Sequence, residues 1–266
     1  MFKKIRFSVF IFTILLLTFT FSYATPTTHI WSPSTDVQPY GVFHLTADAY
    51  VPVERDSAGN RPDTVTNFGL TTGILPFDKF NAEVGFDHIA GYGALDTYPF
   101  YFNWKVGTPE DVFSKFFPAL AFGEYMIGTK QKKATGVVRT GYNIFYWKAA
   151  KTLSIKNFSL GRFSAGYYRG DKDLLLDANG NSDNDGVLLA WERIMSEISD
   201  KLWVCVDYQG GKNSFGAMNY GFAWKFSPNV SVLFGYDVPN NSNLAKTFTV
   251  QCDIDFDLFS KFLRKK

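Results

Sequence analysis

TFTVQCDIDF, Thr247 to Phe256, puts Phe248, Val250, Cys252, Ile254 and Phe256 on one side of an extended chain and Thr249, Gln251, Asp253 and Asp255 on the other. In a strand, successive side chains point to opposite faces, so each face must find its own solvent. One face here is greasy and the other carries acids, which suits a wall between lipid and water.

The alternation recurs upstream. Phe80, Ala82, Val84 and Phe86 alternate with Asn81, Glu83, Gly85 and Asp87; Phe100, Phe102, Trp104 and Val106 with Tyr101, Asn103 and Lys105; Val230, Val232, Phe234, Tyr236 and Val238 with Ser231, Leu233, Gly235 and Asp237. The period is two, not the 3.6 of a helix. Aromatic residues make up 18% of the 266 residues, more than the single core of a soluble sandwich would use, yet the mean hydropathy is close to zero. That pairing predicts an all-β fold, an antiparallel transmembrane β-barrel in which lipid-facing and lumen-facing positions alternate.

Met1 to Ala24 has a basic start (Lys3, Lys4, Arg6), an apolar centre from Phe7 to Phe21, and small residues at Ser22 and Ala24. This reads as a secretory signal peptide cleaved after Ala24, because the apolar centre is shorter than the ~20 residues of a spanning helix. Export together with period-two strands points to the outer membrane, with its lipid and the barrel-assembly machinery as partners. The net charge of +2 gives no reason to invoke nucleic acid. Cys252 shares the apolar face of its strand, whereas Cys205 is in phase with Asp207 and Gln209, so the two sulfurs fall on opposite sides of the wall and two free thiols are expected.

The organisation read from the sequence is a signal peptide (1–24), a flexible Pro-rich lead (25–39), a barrel of about twelve strands (40–256) and a tail (257–266). An even strand number leaves both termini on the periplasmic side, where connections are short. Pro76-Phe77-Asp78 and Ser227-Pro228-Asn229 fit that rule, and so do the longer outer loops Glu54–Thr64, Asp171–Asp185 and Pro239–Lys246. Thr108–Pro118 and Ala150–Phe158 are long for the periplasmic side. The first has helix-start chemistry, with Thr108 as cap, Pro109 at the first position and Glu110 and Asp111 beside the positive end of the dipole. In the tail, Leu258, Phe259, Phe262 and Leu263 have helical spacing beside Lys261, Arg264, Lys265 and Lys266, as in a short amphipathic segment lying on a membrane surface.

The final strand resembles the assembly signal of bacterial outer-membrane β-barrel proteins in Thr249, Gln251, Ile254 and Phe256, although Gln251 stands where glycine is usual and Phe256 is not the last residue. FGLTTGILPFDKFNAEVGFD (Phe68–Asp87) and KFSPNVSVLFGYD (Lys225–Asp237) are similar to the strand, turn, strand repeats of outer-membrane transporters of the phenol-degradation-pathway type. The resemblance implies a porin-like transport protein of the Gram-negative envelope.

The lumen-facing set read from phase is Asp48, Glu83, Asp87, Glu192, Asp207, Asp237, Asp253 and Asp255 against Lys105, Arg139, Arg162 and Lys225. Buried dry, such charges would cost several kcal/mol each unless paired, so the interior is either wet or laced with ion pairs. A wet interior makes a passive channel or transporter for small solutes with a weak cation preference. The alternatives are a closed barrel filled by Tyr101, Tyr168, Trp203 and ion pairs, serving as a structural or surface-binding scaffold, or an outer-membrane enzyme acting on lipid or envelope substrates. For an enzyme the material is thin: histidines at His29, His44 and His88, and no GxSxG motif. No catalytic residue and no cofactor is assigned, with one exception of interest: Asp177, Asn179, Asn181, Asp183 and Asp185 carry oxygen at every second position, a spacing that could wrap a calcium ion. The glutamate expected at the twelfth position of such a loop, counted from Asp177, is replaced by Leu188.

Overall fold

The computed structural model describes residues 27–257 apart from 57 and 157. The signal peptide and all of the tail beyond Asp257 lie outside these residues. Twelve strands form one closed barrel: β1 (Val42–Pro52), β2 (Val65–Gly73), β3 (Asn81–Ala90), β4 (Phe100–Thr108), β5 (Ala119–Gly128), β6 (Gly141–Ile155), β7 (Phe158–Arg169), β8 (Asp185–Ile194), β9 (Leu202–Gln209), β10 (Ala217–Ser227), β11 (Val230–Pro239) and β12 (Thr247–Asp257). Each strand runs antiparallel to both neighbours, and β12 closes onto β1 with Val42 opposite Asp257. Closure leaves no unpaired sheet edge, and both ends of the barrel emerge at one rim, here the near rim.

The faces sort as the alternation requires. Phe68, Phe86, Phe102, Phe122, Trp147 and Phe222 are exposed on the outer wall, and several outer rings meet across strands, as in Phe222 against Phe234 and Trp104 against Phe122. Inside, Glu83, Lys105, Asp207, Asp237 and Asp255 are buried. Cys205 packs inward against Ile30 and Leu233, and both cysteines are free.

Three local expectations need correction. Ala150–Phe158 is not a connection: β6 extends to Ile155, leaving a turn at 156–157 with Lys156 at φ 55°. The segment carrying Arg139, read as part of the barrel wall, is loop as far as Thr140, because Thr140 and Gly141 both donate backbone hydrogen bonds to Lys130 O and close a loop above the far rim. Residues 109–118 form no helix. Asp111 sits at φ 64°, and Glu110 accepts hydrogen bonds from the Thr152 backbone and hydroxyl (2.7 and 2.9 Å), so β6 takes the carboxylate that a helix start would have used. The one described helix is a 3-10 turn at Gly93–Thr97.

Candidate functional site: the lumen and its inner segment

The described part of the lead expected to be flexible, residues 27–39, is instead threaded into the barrel. His29, Ile30, Ser32, Ser34, Thr35 and Gln38 are all buried. With no helix or sheet of its own to satisfy its backbone, the segment borrows partners from the wall. Lys148 Nζ donates to Ser32 Oγ (3.1 Å) and Pro33 O (2.9 Å) and lies 3.1 Å from His29 Nδ1. Lys105 Nζ donates to Thr27 O (2.7 Å) and Asp36 O (2.6 Å). Arg162 holds Asp36 and the Thr35 hydroxyl. Acids serve the N–H groups: Asp207 accepts from Trp31 and Ser32, and Glu83 from Gln38. Gln251 Nε2 donates to Ile30 O at 2.7 Å.

Two glycines let the segment come this close. A Cβ on Gly73 would strike the carbonyl oxygens of Gln38 and Pro39 at distances no real contact reaches, and one on Gly235 would lie 2.8 Å from the Ile30 side chain. Gly73 also bridges to Tyr40, where the chain turns from the inner segment into β1.

The charges predicted for the lumen therefore divide. Glu83, Lys105, Arg162, Glu192 and Asp207 grip the inner segment or one another, as in Lys105–Glu83 at 3.1 Å and Arg162–Glu192 at 3.5 Å. Above this grip, Tyr101, Tyr146, Tyr168, Ile144, Leu188 and the loop residue Leu175 form a packed cluster that fills the β4–β8 side. The opposite side stays polar and acidic. Asp48 accepts from Thr46 and Asn67, Asp87 from Asn67 and Asn103, and His44 lies between Asp255 (2.7 Å) and Asp253 (3.3 Å). Both His44 ring nitrogens face carboxylates, so neither is placed to take a proton from a hydroxyl nucleophile. Lys225 lines the near-rim vestibule.

Some residues fall elsewhere. Arg139 is not in the lumen: it lies in the far-rim loop and pairs with Asp171 and Asp173. His88 points outward against Phe100. Asp177 closes its own turn, accepting from the Asn179 and Asn181 backbones, while Asp183 accepts from the Lys212 backbone and Asp185 from the Tyr167 hydroxyl. The three aspartates thus turn to separate partners, and among the described residues no group of three or more His, Cys, Asp or Glu is arranged to hold a metal ion. Sequence reasoning missed Lys148, although it lies in phase with Tyr146 and opposite in phase to Phe145 and Trp147.

Three cavities follow one another through the lumen, the last of them lined mainly by β6–β10. An outer chamber of roughly 300 Å³ lies under the far-rim loops, a middle chamber of roughly 180 Å³ beside the inner segment, and a vestibule of roughly 550 Å³ at the near rim. Trp31, Tyr50, Val65 and Tyr92 belong to the walls of both the outer and middle chambers, and Leu233 and Asp253 to those of the middle chamber and vestibule.

No family model matches the chain, and no curated protein does. Among solved structures the fold is similar to an outer-membrane channel from Pseudomonas putida F1 (10% identity, 84% of this chain and 97% of that one, TM-score 0.47). It is also similar to the KdgM porin (6%, 81% and 98%, 0.45) and to the NanC porin (10%, 80% and 100%, 0.43).

Proposed function

We infer that this protein is an outer-membrane channel for small solutes that favours cations. The outer wall exposes large apolar rings around a closed cylinder, a surface that water disfavours and hydrocarbon accepts. The resemblance of Phe68–Asp87 and Lys225–Asp237 to outer-membrane transporters of the phenol-degradation-pathway type accords with this reading.

The observation that carries the transport reading is the series of three cavities beside the inner segment, each sharing wall residues with the next. Along the middle chamber the wall offers Asp48, Asp87 and Asp253, whereas Lys105, Lys148 and Arg162 are turned to the inner segment. Wall charges select by field, so the middle and outer chambers prefer cations. The inner segment narrows the bore to the scale of small solutes.

In planar lipid bilayers the protein is expected to give steady currents whose reversal potential in a potassium chloride gradient reports cation preference. Replacing Asp48 and Asp87 together by asparagine shifts that potential toward zero and changes conductance by no more than about twofold, because the field and not the bore is altered. A barrel silent to potassium chloride and to small neutral sugars would overturn the channel reading.

A further inference from the structure

The outer chamber differs in chemistry from the rest of the lumen. Its wall includes Trp31, Tyr50 and Tyr92 together with Asp56, Asp63 and Asp237, and no Lys, Arg or His is among its described lining residues. Asp56 and Asp63 belong to the loop at 53–64 and Tyr92 to the loop at 91–99, so the far-rim loops and the barrel wall build it jointly.

Asp237 is the element that asks for a ligand. It is 2% exposed, and its Oδ2 accepts the Thr247 hydroxyl at 2.8 Å, while its Oδ1 has no hydrogen-bond partner among the described residues. Directly across the β10–β11 ladder stands Asn219, fully buried, with both side-chain amide atoms also unmatched. Buried polar atoms are ordinarily satisfied, and leaving a carboxylate oxygen without a donor is costly. The missing donor should carry positive charge, since three carboxylates line the chamber without a basic side chain to offset them.

The rings narrow the class further. Trp and Tyr attract cations through the ring quadrupole and cover apolar surface at the same time. Trp31 is held in place: its indole N–H donates to Phe215 O at 2.9 Å and its ring meets Tyr50 edge-on at 5.2 Å. A bare metal ion would gain little from such walls. A cation with a hydrocarbon body would use both kinds of group, and roughly 300 Å³ is the lower end of small-molecule sites.

We propose that the outer chamber is a binding site for a small organic ammonium ion, its N–H directed to Asp237 Oδ1 and its apolar part against Trp31, Tyr50 and Tyr92. The inference builds on the channel reading by naming the class of solute drawn to the outer mouth.

The test is isothermal calorimetry on the full-length mature protein in detergent micelles with n-butylammonium, compared with butan-1-ol and potassium ion. Saturable binding of n-butylammonium alone is expected, weakened about tenfold by Asp237→Asn. Tyr92→Ala, in a loop where folding is not at stake, should weaken it severalfold. Equal binding of butan-1-ol, absence of saturable heat, or affinity unchanged in both variants would overturn the site. Bilayer currents on the same preparation separate the two ideas. Potassium current without n-butylammonium binding overturns the site and leaves the channel standing; n-butylammonium binding without current supports the site and overturns the channel.

Discussion

The β4–β8 side of the lumen and the side made by β1–β3 with β11 and β12 share one fold and one alternation, yet they end up in opposite states. Above the near-rim vestibule the first is solid: Lys105, Lys148 and Arg162 seize the carbonyls and side chains of the inner segment, and the tyrosine cluster packs above them. The second is hollow, and its acids hold amides, hydroxyls and an imidazole rather than strong cations. The difference lies in where the basic residues fall. A cation reaching inward from a strand can neutralise a neighbouring acid or bind a strand of chain laid across it; here Lys148 does the latter, and Lys105 and Arg162 do both. The acids facing them are thereby left to make a field.

The largest effect is expected from removing that asymmetry. With Lys105, Lys148 and Arg162 all replaced by alanine, the inner segment loses its main holds on the wall and the bore it occupies becomes available. Single-channel conductance should rise on the order of severalfold, toward that of an unobstructed twelve-stranded barrel. Unchanged conductance would mean that the solid side is closed by its tyrosines alone and that the inner segment is incidental to it.

A smaller effect separates the holds from one another. Lys148 is 1% exposed and serves Ser32 Oγ and Pro33 O beside His29. Lys148→Met keeps the aliphatic stem and leaves those acceptors buried without a donor. Urea unfolding in micelles should then lose about 1–3 kcal/mol, with selectivity unaltered because the acidic side is untouched. A shift in reversal potential comparable to that of the Asp48 and Asp87 double variant would show that the two sides are not electrically separable.

What could be read beforehand follows the same division. The strands were legible because each must solvate two faces differently, so Phe86 beside Asp87, or Tyr236 beside Asp237, already states which way the wall faces. Strand ends were legible only where turn residues interrupt the alternation. The loop at 129–140 misled because Lys, Gln and Thr carry no phase, and Arg139 was placed in the lumen although the fold puts it above the rim. The inner segment was illegible for a stronger reason. Residues 27–39 have no period, and their burial is decided by Lys105, Lys148, Arg162 and Asp207, residues remote in sequence. Lys148 could have been found, since the phase of Trp147 sends it inward; what it would hold could not.

The smallest effect concerns the loop that covers the solid side. Leu175 drops from the loop between β7 and β8 into the tyrosine cluster, and the hairpin carrying it is closed by Asp177, whose Oδ1 accepts the Asn181 and Asn179 backbone N–H groups at 2.8 and 2.9 Å. Those donors hold the Asp177 carboxyl below its usual range, the Asn181 backbone contributing most. A folded value below the unfolded one means that the turn's stabilisation is complete above the unfolded value of about 3.9 and is lost as pH falls through the lowered folded value. Amide protection at Asn179 and Asn181, followed by hydrogen exchange, should therefore hold from neutrality down to about pH 5 and decline only below about pH 4, while Asp177→Ala should lack it at every pH. Conductance should stay at the wild-type level in both cases, because loosening a cover over packed tyrosines opens no path. A conductance rise in Asp177→Ala matching that of the triple cation variant would place the pathway under this loop, on the very side assigned as solid, and the division of the lumen would have to be redrawn.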